Sequence, residues 1–376
     1  MNLHLISVFL FGAPAITLFE RHAPGENWYI FTTRRFANKD YGQLLVQPDH
    51  LPEVLEERAA RNQLLAQMRE RGVRKLFVHY LDEPKAKLAH WLKQRIDIEV
   101  NWIFYGADLY NQLYRVGRYE LYDPGVLSTS DKFAHQWSRF KQAIRYKILM
   151  RPKFSAYLDS IDVFCFWNHL DYKLCVKSYD VNIAYKYFLN YIVIDLELPE
   201  LLPKRPGSVL LNNSSDRTGN HLTMLKRIHD IDAKGDVEIT IPLSYGDNDY
   251  AASVTADARK LFGNRIIPLT EFMPQKDYYN LLSGFAVAVF GHRRQQAAGN
   301  IFFLLAAGVK VFLRRDNNLL QWFREKDFLV YCVEEDLRTV ADLRGLGPEE
   351  VAHNREVYLN TFSKNYENEM MEDILS

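Results

Sequence analysis

The stretch FGHRRQQAAGNIFFLLAAGVKVFL, Phe290 to Leu313, places a polar cluster between two apolar runs. An apolar strand ends at Gly291. His292, Arg293, Arg294, Gln295 and Gln296 follow, then small residues and Asn300, and a new apolar run starts at Ile301. Such a strand-to-helix junction is suited to an anion. A helix N-terminus offers unpaired N–H groups and partial positive charge. Arg294 adds a fixed cation with a bidentate fork, and Gly299 permits close backbone approach. A diphosphate is the natural guest; the alternative is that Arg293 and Arg294 make a solvated turn.

Three more loops of the second half have the same character: residues 212–221 (NNSSDRTGNH), 243–250 (LSYGDNDY) and 270–274 (TEFMP). If the strands before them run parallel, all four loops lie on one sheet edge, where open α/β sheets bind ligands. Asp247, Asn248 and Asp249 form a D-x-D pattern that can hold a divalent cation on a nucleotide diphosphate. Asp230 and Asp232 show the same spacing, and a solvated turn explains both, so no metal site is expected.

In the first half, FYGADLY (104–110) ends an apolar run with Gly106 and presents Asp108, and FVHYLDEP (77–84) does the same near His79. Either side chain could take a proton from an attacking hydroxyl. Equally, His79 fits a satisfied core residue and Asp108 the N-cap of the next helix. The segment 137–158 is a basic amphipathic pattern. Trp137, Phe140, Ile144 and Ile148 share a stripe, with Arg139, Lys141, Arg145, Lys147, Arg151 and Lys153 around it and no acidic residue before Asp159. It suits an anionic membrane surface; a core-facing helix with a basic outer face fits as well, and Pro152 should end or kink it.

These residues need strands and helices to hold them, and the sequence supplies both in alternation. LHLISVFLF and NWYIFTT read as strands, 51–72 as one long helix ended by Gly72, then RKLFVHYL, a helix through Trp91, and IEVNWIFYG. A second cycle of the same kind starts after Pro199, Pro203, Pro206 and Gly207, the best linker in the chain. The expectation is an α/β protein of two Rossmann-like domains with mostly parallel sheets facing across a cleft, divided as 1–198 and 199–376, with the last helix packing back on the first domain. Neither G-x-G-x-x-G nor G-x-x-x-x-G-K-[ST] occurs, so dinucleotide and P-loop chemistry lack their motifs.

A length of 376 residues suits two cores, and 48% hydrophobic with 25% charged content is ordinary for a globular protein. Forty-seven basic residues balance 47 acidic ones, which disfavours nucleic acid as a partner. Cys165, Cys175 and Cys332 lack close pairing, so a reducing compartment is expected rather than a disulfide framework. The N-terminus lacks a basic leader and no apolar run approaches a membrane span, so a cytoplasmic protein is expected.

WIFYGADLY, NNSSDRTGNH, IPLSYGDN and RRQQAAGNIFFLLAAGVKVFL resemble segments of glycosyltransferase family 56. That is the TDP-N-acetylfucosamine:lipid II N-acetylfucosaminyltransferase (4-alpha-L-fucosyltransferase-like) family of enterobacterial common antigen synthesis. The resemblance covers most of the chain and is best over 208–325. It implies a GT-B fold, a nucleotide sugar held mainly by the C-terminal domain, and an acceptor held by the N-terminal one. The reaction it implies moves a 4-acetamido-4,6-dideoxyhexose from a TDP donor to a polyprenyl-diphosphate-linked saccharide. Its setting would be the inner face of the cytoplasmic membrane, with no cofactor.

Residue by residue, Gly106 to Tyr110 match the first motif and His79 a strand-end histidine. Asn213, Ser214, Asp216, Arg217 and His221 match the second; Pro242, Tyr245 and Asn248 the third; Glu271 an acidic position; Arg294, Gln295, Gln296 and Gly299 the fourth, with Asn300 beside it. Ala297 and Ser215 replace family glycines, and residues around 114–140 look like an insertion. In this reading Arg294 stabilises the leaving diphosphate, and Asp108 or His79 is the base if the reaction inverts. Competing readings are another GT-B enzyme of different sugar or acceptor, an epimerase or hydrolase, or a non-catalytic polysaccharide-assembly partner.

Overall fold

A computed structural model describes residues 1–7, 9–33, 44–127, 133–134, 136–137, 140–141, 144, 154–189, 198–362 and 366–376. The chain divides into two compact units. One comprises Met1–Arg118, Trp137–Ile194 and Lys364–Ser376; the other, Tyr119–Gln136 and Asp195–Ser363.

The first unit is built on a seven-stranded sheet of order β3-β2-β1-β4-β5-β6-β7. Its strands are β1 (Asn2–Ile6), β2 (Asn27–Phe31), β3 (Asp49–His50), β4 (Lys75–His79), β5 (Glu99–Ile103), β6 (Val163–Cys165) and β7 (Ala184–Lys186). The second unit has six strands in the order β10-β9-β8-β11-β12-β13. They are β8 (Arg205–Leu211), β9 (Glu238–Pro242), β10 (Ile266–Leu269), β11 (Phe285–Val289), β12 (Lys310–Leu313) and β13 (Tyr331–Cys332). Every pairing in both sheets is parallel. That follows from the sequence of the central strands: FAVAV of β11 is buried at every position, as a strand covered by helices on both faces must be.

Each sheet reverses its order beside its first strand, between β1 and β4 and between β8 and β11. Chains leave in opposite directions there, and a crevice opens beyond the carboxyl ends of the strands. The loops that follow β8 and β11 are therefore the ones the fold places at the crevice of the second unit.

Three details differ from the sequence reading. The apolar run after β1 turns into a helix, Phe9–His22, because Ile6 already completes the pairing with Phe31. The long helix of 51–72 is two pieces, a 3₁₀ turn at Pro52–Leu55 and a helix at Arg58–Glu70, with Gly72 at φ 62° beyond it. Residues 119–136 group with the second unit, although they fall inside the expected 1–198 domain. They do so because the Asp123 carboxylate pairs with Arg314 at 2.7 Å and the Leu121 carbonyl accepts from Asn220 at 3.1 Å. The last helix, Tyr366–Leu375, belongs to the first unit: it buries Met370, Met371 and Ile374, and Glu367 accepts from both Arg21 and His22 at 2.8 Å. Among the described residues no helix is long and apolar enough to cross a membrane.

Candidate active site

The site is built from the loop after β8, which approaches both the loop after β9 and the loop after β11. Asn212 adopts a left-handed backbone, φ 59°. Its side chain accepts from the Gly291 N–H at 2.8 Å and donates to the Gly219 carbonyl at 2.9 Å. Asn220, at φ 48°, donates to the Gly291 carbonyl at 3.0 Å. The approach is so close that a Cβ on Gly291 would lie 2.2 Å from the Gly219 oxygen, which excludes any other residue. On the other side, Ser215 forms a parallel bridge with Gly246, its N–H and hydroxyl both donating to the Tyr245 carbonyl at 2.9 and 2.8 Å.

These contacts bring most of the expected donor-site residues together. Asn213 donates to the Tyr245 hydroxyl, and Thr218 Oγ1 donates to Gln296 Oε1 at 2.9 Å. Arg294 is buried; Nη2 lies 3.7 Å from Asp216 Oδ2, and Nη1 donates to the Gln295 carbonyl at 2.8 Å. Burial by itself would raise the Asp216 pKa, but the Arg294 charge and hydrogen bonds from Thr218 outweigh it and hold the carboxyl below its usual range.

The polar atoms that remain unpartnered are the informative ones. Asn213 Oδ1, His221 Nε2, both ring nitrogens of His292, Arg294 Nε and Gln295 Oε1 are buried with no hydrogen-bond partner among the described residues. Each such atom costs about 1–3 kcal/mol, and the large majority of buried polar groups in folded proteins have a partner. The helix Ala298–Ala306 begins here without a side-chain cap. At its far end Lys204 donates to the Ala307 carbonyl at 2.5 Å and Arg355 to the Ala306 carbonyl at 2.8 Å. Cations thus occupy the negative pole of this helix, and its positive pole is left for an anion.

Other expectations resolve differently. Asp247 caps the helix Asn248–Phe262 by accepting from the Tyr250 N–H, and it pairs with Arg217 at 3.1 Å. Both its roles are structural, and no group of three or more His, Cys, Asp or Glu side chains among the described residues is arranged to hold a metal. Asn248 is exposed in the first turn of that helix, and Glu271 is exposed after β10. Asn300 donates to the Tyr278 hydroxyl at 3.4 Å, and Gly299 is the second residue of its helix. Sequence reasoning placed Asn212, Asn220 and His292 in candidate loops without giving them a role, and did not name Asn317. The Asn212-Asn213 pair was the available signal, since asparagine is the non-glycine residue that most readily takes the left-handed conformation.

In the first unit, His79 and Asp108 are buried and held by their own unit. His79 Nε2 is 3.2 Å from His4 Nδ1, and its Nδ1 is 3.1 Å from the Tyr105 hydroxyl. Burial, with the charge of Lys85 beside it, holds its pKa well below that of a free imidazole. Asp108 lies in the first turn of the helix Ala107–Arg115, behind Gly106 at φ 98°. It accepts from Trp102 Nε1 at 2.7 Å, the Leu81 N–H at 3.2 Å and the Tyr105 N–H at 3.3 Å. Burial pushes its pKa up to about 6 against those three donors. Of the basic segment, Arg139, Arg145, Lys147, Arg151 and Lys153 lie outside the described residues. Trp137 and Phe140 are half-exposed and stacked at 5.5 Å, with Lys141 Nζ 5.6 Å from the Trp137 ring centre.

Comparison with known proteins fits this geometry. Residues 161–375, more than half of the chain, match the family described as 4-alpha-L-fucosyltransferase, glycosyl transferase group 56. The chain belongs to this family. It is a glycosyltransferase of GT-B fold, and solved structures share the architecture at low identity. A sucrose-phosphate synthase from Thermosynechococcus elongatus superposes with a TM-score of 0.65 at 13% identity, covering 100% of this chain and 98% of that one. A glycosyltransferase from Rickettsia africae gives 0.61 at 11%, covering 100% and 96%. HepE of Anabaena, solved with UDP and glucose, gives 0.61 at 8%, covering 100% and 98%.

Two predictions follow from the site's backbone and its histidines. Ala297 sits at φ 62°, ψ 21°, where a Cβ is disfavoured by about 1–2 kcal/mol. Ala297→Gly is expected to raise the urea midpoint by the equivalent of about 0.5–1 kcal/mol after the unfolded-state entropy is subtracted; a lower midpoint refutes the strain. Burial pushes the pKa of His4 and His292 down to about 3 and of His221 to about 4, with His79 lowered too. Depressed imidazoles stabilise fully above pH 6.5, and that stability is lost as pH falls below it, about 1.4 kcal/mol per group per pH unit. Asp108, raised to about 6, opposes this, gaining stability as pH falls below 6. The melting temperature should therefore drop between pH 7 and pH 5; a flat profile contradicts neutral buried imidazoles.

Proposed function

We propose that the protein transfers a hexose, of the 4-acetamido-4,6-dideoxy class, from a TDP-sugar to a polyprenyl-diphosphate-linked saccharide in bacterial surface polysaccharide synthesis. The family description, a fucosyltransferase, supports sugar transfer to an acceptor. The observation that carries the donor reading is the buried Arg294 with an unpartnered Nε beside the uncapped N-terminus of Ala298–Ala306. A similar fold carries UDP in structures of Staphylococcus aureus MnaA and of HepE, which supports a nucleoside diphosphate as the group bound here.

In the reaction, the acceptor hydroxyl oxygen forms a bond to the anomeric carbon. The bond from that carbon to the donor's phosphate oxygen breaks, and its electron pair leaves on the diphosphate. Arg294 and the helix N-terminus face that developing charge, the kind of preorganised term worth about 3–4 kcal/mol when one donor is removed. With Asp247 engaged as a cap and with Arg217, the assignment needs no metal. Asn213, Ser214, Asp216, Arg217, His221, Tyr245, Asn248, Gln295, Gln296, Gly299 and Asn300 would surround the donor, and Glu271 would hydrogen-bond a donor hydroxyl. If the outcome is inversion, the hydroxyl proton goes to Asp108 rather than to His79. A carboxyl near pKa 6 accepts a proton at neutral pH more readily than an imidazole held far below its usual value. Release of Asp108 from its Leu81 and Tyr105 donors would have to accompany acceptor binding. The exposed Trp137, Phe140 and Lys141 would face the inner membrane surface, together with the basic residues of 139–153.

Arg294→Ala should lower kcat by about 10²–10³-fold while the melting temperature stays close to that of the wild type; near-normal transfer by a folded variant overturns the donor site. The membrane face predicts salt-dependent binding to vesicles containing anionic lipid, lost when the Lys and Arg residues of 139–153 become Glu. Binding that survives those changes, or is absent in the wild type, refutes it.

A further inference from the structure

We propose that Asp123, which lies in the first half of the sequence, is a positioning residue for the donor loops of the second unit. This rests on the reading of Arg294 as the diphosphate anchor. Asp123 is buried, and its carboxylate accepts from Arg314 Nη1 at 2.7 Å and Nη2 at 3.3 Å, a bidentate pair, with Arg293 Nη1 at 3.6 Å. Its own N–H donates to Asn220 Oδ1 at 2.8 Å. One residue therefore fastens three loops: the end of the loop after β8 through Asn220, the loop after β11 through Arg293, and the loop after β12 through Arg314.

Neighbouring contacts converge on the same strip. The Tyr119 hydroxyl hydrogen-bonds the carbonyls of Arg293 and Asp316, the latter at 2.9 Å. Arg293 Nε donates to Asp316 Oδ2 at 2.7 Å. Asn317 donates to the His292 carbonyl at 2.9 Å and the Arg294 carbonyl at 2.8 Å. Residues 291–294 are thus gripped along the backbone and through Arg293, and the one arginine not consumed by the grip is Arg294. This gives Arg293 a role the sequence left open: it anchors the loop, and Arg294 faces the ligand. Preorganised donors matter because a small misplacement of a charged group forfeits most of its effect on the transition state. The Asp123 carboxylate is engaged by Arg314 and Arg293, so its influence passes through the position of Arg294 and the start of Ala298–Ala306.

The test measures affinity for TDP and for UDP by calorimetry, and donor and acceptor kinetics, on the full chain at a temperature well below its melting point. Asp123→Asn removes the charge that holds Arg314 and Arg293, and is expected to weaken nucleotide affinity at least 10-fold. It should raise the donor KM with the acceptor KM unchanged, while Asp123→Glu recovers part of the loss. A residue that only stabilised the fold would lower the melting temperature and leave affinity untouched. Should Asp123→Asn fail to fold, Tyr119→Phe and Arg314→Lys carry the test: the first removes one hydroxyl, the second the bidentate fork but not the charge, and each is expected to weaken affinity at least 3-fold. Nucleotide binding that Arg294→Ala abolishes and the folded Asp123 or fallback variants leave intact overturns this inference alone. No binding of either nucleotide by the wild-type chain overturns the donor-site reading and this inference with it.

Discussion

The Asn212 side chain spans the gap between two loops that must lie almost in contact. It takes a hydrogen bond from the Gly291 N–H and gives one to the Gly219 carbonyl, while the Asn212 N–H continues the sheet by donating to the Val289 carbonyl at 2.9 Å. This pairing occurs where the strand order of the second sheet reverses, so no further strand could close the space. A side-chain amide with its donor and acceptor on opposite sides does so instead. Asp216 and Arg294 owe their proximity to it, and glycine is required at 291 because there is no room for a Cβ.

Part of the cost of this arrangement lies at the site itself. Buried imidazole, guanidinium and amide atoms without partners work against folding, as does an alanine in left-handed backbone at 297. Folded proteins keep such features where a ligand supplies the missing partners. Electrostatics point the same way. Lys204 and Arg355 satisfy the carbonyl end of Ala298–Ala306, and the amide end is open beside Arg294.

The first unit shows the opposite economy. His79, Lys85 and Asp108 lie at or just beyond the carboxyl ends of β4 and β5, with His4 from the middle of β1 beside His79, yet their polar atoms are engaged within the unit. Lys85 alone donates to Ser7 Oγ at 2.7 Å, to the His79 carbonyl at 2.9 Å and to the Tyr80 carbonyl. Tyr80 takes a left-handed turn, φ 61°, to present that carbonyl. The raised pKa of Asp108 is a consequence of burial rather than of a neighbouring carboxylate.

The sequence by itself determined the layered α/β class, the parallel sheets and the candidate loops. These are encoded locally: strands such as FAVAV are apolar at every position, and polar residues cluster where each strand stops. It also marked Arg294, Gln295 and Gln296 as a group, and it read Asp247 as part of a solvated turn rather than a metal ligand. Tertiary structure decided what local pattern cannot hold. It showed that Asp247 is consumed by Tyr250 and Arg217, that Arg293 anchors while Arg294 stays available, and that residues 119–136 belong with a sheet formed much later in the chain. The physical reason is range. Periodicity and turn chemistry act over a few residues, whereas the pairing of Asp123 with Arg314, or of Asn212 with Gly291, exists only after the second unit's sheet has fixed which distant loops share an edge.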